Sequence, residues 1–307
     1  MEHLIFTAFM LLLGRSKEFV LVTPMKVSVV IPTYYRQEDL AELFDSFLRQ
    51  TVKPFEVIVV DDTPTDEIAV LCDIFKVQFA KKKIRLFYHK NQRKKSSSVA
   101  RNVGVEMSSG DILMFFDSDV ILFPDYIEKI LEVFEKFPHA VGVQGWIVNF
   151  KRTKFYYIRQ VIYRIFRFSH HVKDRCKLFE YPSLLTRIIP CEALSGANFA
   201  VKREIFNELR FDENLLGYAY MEDLLFSHML YRKYPNKLFI TPYAKCIHKV
   251  SQEGRGDKKE LEKHKHTCRL YVLIKLFGWR GKLLYCWQNI GNLILLSFKR
   301  LLKNKQL

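Results

Sequence analysis

Acidic residues are scarce in this chain of 307 residues: 33 Asp and Glu stand against 49 Lys and Arg, for a formal charge of +16. Such an excess favours an anionic partner, whether a phosphorylated ligand, nucleic acid or an acidic membrane face, and charge alone does not choose among them. Paired cysteines are missing as well. The six cysteines lie at positions 72, 176, 191, 246, 268 and 286 without a C-x-x-C pair. That scatter argues against a disulfide frame or a zinc site and fits buried or free thiols in a reducing compartment. No apolar run reaches the roughly 20 residues that span a bilayer. Leu4 to Leu13 gives ten, and Leu283 to Phe298 gives sixteen, with Gln288, Asn289 and Asn292 among them. The second of these suits a helix lying in a membrane interface better than one crossing it. No long Gly/Ser-rich linker and no internal repeat divides the chain. Glycine is also missing from PTYYRQEDL after the first strand-like run, where a nucleotidyltransferase would usually carry a glycine- and lysine-rich phosphate loop.

Residues 1–24 make a poor secretory signal. Glu2 precedes the apolar run, no basic segment opens it, and GRSKEF offers no small-residue cleavage site. They read either as an upstream extension from a misplaced start codon or as a weak membrane-surface anchor.

From Lys26 onward apolar runs alternate with helical patterns. Val27 to Ile31 is β-branched and closed by Pro32; Leu40, Leu43, Phe44, Phe47 and Leu48 then recur at helical spacing. FEVIVV, Ile84 to Tyr88 and ILMFF (residues 112–116) predict further strands, with helices over Ile68 to Phe75 and Ser96 to Met107 between them. This alternation predicts an α/β domain of parallel β-α-β units with helices on both faces of the sheet. Ligands of such sheets bind at the carboxyl ends of the strands, where Thr33, Asp61, Asp62, Asp117 and Asp119 all fall.

ILMFFDSDV raises the sharpest question, since two carboxylates close a run that looks fully buried. Asp117 and Asp119 can hold Mg²⁺ or Mn²⁺ through oxygen ligands while the same ion binds phosphate oxygens, or they can form a solvated turn. Asp61 and Asp62, after FEVIVV, can accept from a base imide or ribose hydroxyls, or shape the turn DTP. Arg101, near the start of a helix, can meet diphosphate oxygens or lie on the surface. His248 is either a third metal ligand through its neutral imidazole or a core or surface histidine.

VSVVIPTYYR, VIVVDD, ARNVG and FFDSD in this order resemble family 2 glycosyltransferases of the GT-A fold, strongly over residues 26–120 and through two more motifs to about residue 250. The resemblance implies a Rossmann-like, mostly parallel sheet, a nucleotide-diphosphate sugar donor, a divalent metal and inversion at the anomeric carbon. Pro32, Thr33 and Tyr34 would line the base pocket, and Asp61 or Asp62 would bind base or ribose. Arg101 would approach the diphosphate, Asp117 the sugar or ribose, and Asp119 the metal. Asparagine often stands in the family where this chain has Tyr35, which puts the local turn in doubt. SGANFAVKR resembles the segment that admits the donor sugar, implicating Gly196, Ala197 and Asn198. Glu222-Asp223 resembles the family's E-D motif, whose aspartate is the base. The chemistry agrees: an inverting transfer needs a group to take the acceptor's proton. Asp223 opens an apolar helical pattern, so its carboxylate faces the cleft or merely caps that helix, and the need for a base favours the first.

The texture changes after about residue 150. Residues 151–190 carry ten Lys/Arg against two acids among many aromatics, and from Lys263 to the end there are ten Lys/Arg and no acid. Long apolar runs beside Trp279, Trp287, Tyr271 and Tyr285 favour a membrane interface over nucleic acid, with core helices as the other reading. The chain thus divides into residues 25–150 for the nucleotide sugar, 151–250 for the acceptor and 251–307 as a basic amphipathic helical tail. The Q-x-x-R-W motif and the spanning helices of processive synthases are absent, which favours transfer of a single sugar. The expected partners are a UDP-sugar first among donors, a glycan or lipid-linked acceptor and the cytoplasmic face of a membrane, without nucleic acid. The rival readings are a nucleotidyltransferase and a basic membrane-binding module with an inactive transferase core.

Overall fold

The computed structural model describes residues 25–149, 158, 161, 162, 165, 166, 185–254 and 256–304. The expectations for residues 1–24 and for most of the basic aromatic run 151–184 lie outside the described residues.

The first half follows the predicted alternation. Strand β1 (Val27–Thr33), helix α1 (Gln37–Leu48), β2 (Glu56–Asp61), α2 (Glu67–Lys81), β3 (Arg85–Lys90), α3 (Ser97–Met107) and β4 (Ile112–Phe116) come in turn. These strands are parallel in the order β3-β2-β1-β4. The apolar runs of β1, β2 and β4 are explained by burial on both faces, while β3, RLFYHK at the sheet edge, is partly open to solvent. In β2, Val57 and Val59 join the large core with Leu40, Phe44 and Phe75, while Ile58 and Val60 pack on Val99, Ala100 and Val103 of α3. Helix α3 lies very close to the sheet, since a Cβ on Gly104 would sit 2.2 Å from Val30 Cγ1. The glycine of ARNVG is therefore a packing requirement.

The second half extends the sheet out of sequence order. It comprises β5 (Val120–Leu122), α4 (Tyr126–Lys136), β6 (Gly142–Ile147), β7 (Ile189–Cys191), β8 (Asn198–Lys202), α5 (Glu222–Lys233) and β9 (Leu238–His248). Strand β8 runs antiparallel between β4 and β6, and β9 lies parallel to β6. The far edge of β9 is shared by β7, against Leu238–Ile240, and β5, against Cys246–His248. Phe115, Phe199, Phe206, Phe211 and Phe226 stack between this sheet and α5, with centroids as close as 4.4 Å for Phe211 and Phe226. Each such pair adds about 0.5–1.5 kcal/mol beyond its buried area, which anchors α5 against β4 and β8.

Helices α6 (Lys258–Phe277) and α7 (Trp279–Asn304) are the expected C-terminal pair. They turn at Gly278, whose φ of +59° suits glycine. Cys268 and Val272 of α6 pack on Leu215, Ala219 and Leu225, while Leu295 of α7 meets Ile162 and Phe166. Among the described residues no helix is long and apolar enough to cross a membrane.

The topology fixes where a ligand can enter. From β1 the chain moves outward to β2 and β3, then returns to β4 on the other side of β1. The connections leaving β1 and β4 diverge there, and the crevice between them is the binding position of open α/β sheets.

Candidate active site

At the end of β2, Asp61 is fully buried and held from three sides. Its Oδ1 accepts from the Thr63 amide at 2.7 Å, and its Oδ2 accepts from Tyr88 Oη at 3.0 Å and faces Lys90 Nζ at 3.5 Å. Burial and this bond push the Tyr88 phenol upward. Asp62 is more open. Asn91 Nδ2 donates to it at 2.6 Å, and burial raises its carboxyl against the pull of Asn91 and Lys95. Thr63 reaches back across the crevice and accepts from the Tyr35 amide at 2.9 Å. Tyr35 sits at φ +51°, the left-handed region that asparagine tolerates and bulky residues rarely adopt. The turn in doubt is thus a left-handed one, which a tyrosine holds. Lys95 lies over the Tyr34 ring, 3.1 Å from its centroid, so the strand ends of β1 and β2 and the loop before α3 form one wall.

Beyond β4 the acids meet β9. Asp119 is completely buried; its Oδ2 accepts from the Ser251 amide at 2.8 Å, and its Oδ1 lies 3.3 Å from His248 Nε2 and 3.1 Å from Arg36 Nη1. Burial opposes its ionisation, yet His248, Arg36 and the Ser251 amide together draw the carboxyl down to about 2. Asp117 keeps 34% of its side chain exposed, so it is the member that solvent reaches. Burial nevertheless raises its carboxyl against the pull of Arg101. Burial opposes protonation of His248, but the contact with Asp119 and the charge of Asp117 outweigh it and raise the imidazole. Ligand atoms from Asp117, Asp119 and His248 lie within 4.8 Å of one another. Two carboxylates and an imidazole suit Mg²⁺ or Mn²⁺, and Asp119 Oδ1, buried without an aligned hydrogen bond, leaves a lone pair for such an ion. The donor set fits.

Arg101 links this cluster to the acceptor side. Only 2% of its side chain is exposed; one amino group pairs with Glu222, and the other reaches Asp117 Oδ1 at 3.2 Å and the Gly196 carbonyl at 3.0 Å. Burial pushes the Glu222 carboxyl up to about 8 against the pull of Arg101, with the charges of Asp223 and Asp117 adding to the rise. Gly196 turns its amide the other way, donating to Asp223 Oδ2 at 2.8 Å. The Leu224 amide donates to Asp223 Oδ1 at 2.8 Å in the first turn of α5. A Cβ on Gly196 would approach the Asp223 carboxyl at 3.1 Å, so a small residue there keeps the carboxylate in place.

The structure therefore brings Asp117, Asp119, His248, Arg101, Gly196, Glu222 and Asp223 into one connected group. Ala197 contributes its carbonyl to the Asp117 amide at 3.2 Å. Asn198 is buried opposite Phe116 in the sheet, its Nδ2 3.1 Å from Cys246 Sγ, and so supports the strand beneath the site. Pro32 and Thr33 lie at the end of β1, where Thr33 pairs with Asp61 in the sheet. Sequence reasoning gave Asp117 to the sugar or ribose, whereas its oxygen also stands within the metal-competent set. It missed Arg36 and the segment 249–254 altogether, although the arginine ends the quoted motif PTYYR.

Fold and site together define an α/β domain with an acidic, metal-competent crevice at the switch point of its sheet. The sequence profile of Glycosyl transferase family 2 matches residues 28–210, more than half of the chain, and the protein belongs to that family. The glucosyl-dolichyl phosphate glucuronosyltransferase of Haloferax volcanii is 28% identical over 195 residues, covering 60% of this chain and 55% of its own. Glycosyltransferase GlyA of Streptococcus pneumoniae is also 28% identical over 195 residues, covering 62% of this chain and 26% of its own. This chain spans less than two thirds of the length of either relative. Among solved structures, the mannosyltransferase PcManGT of Pyrobaculum calidifontis, in complex with GDP-Man and Mn²⁺, gives a TM-score of 0.57 at 17% identity over 89% of this chain and 72% of its own. TarS 1–349 of S. aureus, in complex with UDP-GlcNAc, gives 0.52 at 17% identity over 81% and 67%. At such identity these neighbours establish the shared fold.

Proposed function

We propose that this protein is an inverting glycosyltransferase that moves a single sugar from a nucleotide-diphosphate sugar to a hydroxyl of a lipid-linked or cell-surface glycan. A UDP-sugar is the expected donor; the solved neighbours bind UDP-GlcNAc or GDP-Man. One observation carries the reading: Arg101 and Gly196 join the Asp117–Asp119–His248 cluster to Asp223, so ion site and base share one cleft.

Pro32, Thr33 and Tyr34 line the base side, with Asp61 or Asp62 accepting from base or ribose. Asp117, Asp119 and His248 would hold Mg²⁺ or Mn²⁺, which supplies positive charge to the departing diphosphate. Arg101, whose two amino groups meet Glu222, Asp117 and the Gly196 carbonyl, positions Asp117 and Glu222 at the diphosphate end of the cleft. Gly196 and Ala197 leave room for the donor sugar. Asp223 takes the proton from the acceptor hydroxyl as its oxygen bonds to the anomeric carbon, and the bond from that carbon to the diphosphate breaks with its electron pair leaving on phosphate. D223N should lower turnover by about 10³-fold while nucleotide binding in Mn²⁺ persists; near-normal transfer by the folded variant refutes Asp223 as base. Turnover by D119A should be lost with the fold intact.

The tail supports a peripheral place on the cytoplasmic leaflet. Trp279, Leu283, Trp287, Ile290, Ile294 and Phe298 recur at helical spacing on one face of α7, and all are exposed. An apolar stripe in an acid-free, basic segment fits an anionic lipid surface. Flotation with phosphatidylserine vesicles should carry the protein up, and W279S/L283S should leave it below. Equal flotation of both proteins with phosphatidylserine vesicles argues against this surface.

A further inference from the structure

We infer that Arg36 serves two partners in turn: it is the internal cation of Asp119 while the site holds no ion, and a diphosphate-binding residue once an ion is seated. The inference rests on the metal-dependent reading of the cleft and adds a residue that the sequence motifs did not assign.

Arg36 occupies the N-cap position of α1, yet its side chain makes no capping hydrogen bond. It reaches from the end of β1 across the crevice to Asp119 beyond β4 instead. The two oxygens of Asp119 differ. Oδ2 is tied to the Ser251 amide, whereas Oδ1 faces only Arg36 and His248 and lacks an aligned hydrogen bond with either. An ion bound by Oδ1 would share its ligand with a guanidinium 3.1 Å away. Two cations drawn to one carboxylate oxygen repel each other, so they compete for it.

The remaining contacts of Arg36 are weak. Nε donates to the Glu253 carbonyl at 3.1 Å, and Nη2 to the Ser251 carbonyl at 3.4 Å. Both partners are neutral, so an arginine displaced from Asp119 keeps its full charge unpaired. The segment carrying those carbonyls is fastened independently. The Lys249 amide donates to the Asp119 carbonyl at 3.0 Å, Lys249 Nζ pairs with Asp39 at 2.6 Å, and Gly254 lies against the Tyr34 carbonyl so closely that a Cβ would sit 2.3 Å from it. Release of Arg36 therefore leaves the crevice wall standing.

Other cations at the strand ends are already committed. Arg101 is paired with Glu222, Asp117 and Gly196, Lys90 with Asp61 and Thr65, and Lys249 with Asp39 and Glu42. An ion on Asp117 would still leave Arg101 its Glu222 partner, whereas among these cations Arg36 would lose its sole acidic partner. Its planar fork matches phosphate oxygens, and the ion that displaces it is the one expected to bring a diphosphate beside it.

The test measures Mn²⁺ alone by calorimetry, then UDP in saturating Mn²⁺, on the wild type, R36Q and R36K. R36Q should bind Mn²⁺ on the order of tenfold more tightly and UDP on the order of tenfold more weakly. R36K, which keeps the charge, should stay near the wild type for Mn²⁺ and fall between the two for UDP. A merely structural arginine would not shift the two affinities in opposite directions. Unchanged or weaker Mn²⁺ binding by folded R36Q overturns the competition, and unchanged UDP binding overturns the diphosphate role. If neither the wild type nor R36Q binds Mn²⁺, the metal reading of the acidic cluster fails and this inference falls with it. Equal Mn²⁺ binding by both sinks the inference alone.

Discussion

The parallel half of the sheet, β3-β2-β1-β4, and the half built from β5 to β9 recruit their strands by different rules. In the first, each strand pairs with another from the same β-α-β ladder, and the alternation of runs and helical patterns carries the topology. In the second, β9 is flanked by β6, β7 and β5, which come from far earlier in the chain, and no local period specifies those partners. The site draws on both. Asp117, Asp119 and Arg101 come from the ladder, and His248, Glu222 and Asp223 come from the non-local half. A cleft assembled this way depends on the charge pairs that cross the seam.

Arg101 is the strongest test of that seam. Replacing it with methionine fills similar space but leaves Asp117 without its cation and Glu222 and the Gly196 carbonyl without their donor. Removing one partner of a buried pair costs about 3–5 kcal/mol, so R101M should unfold at much lower urea than the wild type. A loss below about 1 kcal/mol would class it with ordinary surface pairs and make the two halves independent.

Glu222 probes the same seam through pH. Burial pushes its carboxyl up to about 8 from an ordinary value of 4.5. Between those values the folded state binds a proton that the unfolded chain has lost, so this component of stability is greatest below about pH 4.5 and declines as pH rises towards 8. The full shift corresponds to a span on the order of 5 kcal/mol, which coupling to Arg101 reduces. E222Q should flatten the decline. A wild type that gains stability relative to E222Q over that window would mean that Glu222 is ionised in the fold.

These partnerships mark the limit of what could be read in advance. β1, β2 and β4 with the acids at their ends were legible because burial on two faces writes itself as continuous apolar runs, and the helices between them because their apolar residues recur at helical spacing. Glu222, Asp223 and Gly196 were legible only through a family pattern; nothing in their local sequence says that Gly196 donates to Asp223 while its carbonyl meets Arg101. The register of β8 against β4, which sets that contact, is a tertiary property. Arg36 was overlooked for a related reason: an arginine just past a strand looks like any solvated turn residue until β9 returns and carries Ser251 and Glu253 to it.

Two glycines compare packing tolerance across the halves. A Cβ at position 104 meets the stiff, β-branched Val30 at 2.2 Å, whereas at position 142 it meets the flexible tips of Leu194 and Leu238 at 2.8 and 2.9 Å. G104A should cost about 1–3 kcal/mol, as overpacking does, and G142A less, because its neighbours can move. Equal thermal shifts would remove the distinction between a rigid ladder and a more yielding second half.

The smallest effect belongs to Tyr35, where the ladder meets the cleft. At φ +51° a tyrosine carries the left-handed cost of about 1–2 kcal/mol, much of which asparagine avoids. The ring also contributes an edge contact with Tyr34 at 4.5 Å, worth about 0.5 kcal/mol. Y35N should therefore raise stability by a net amount of about 0.5 kcal/mol, with the Thr63 bond to the residue 35 amide retained. A fall in melting temperature would show that the tyrosine pair, rather than the backbone, decides this turn, and would place the base-side wall of the crevice among the features held by side-chain packing.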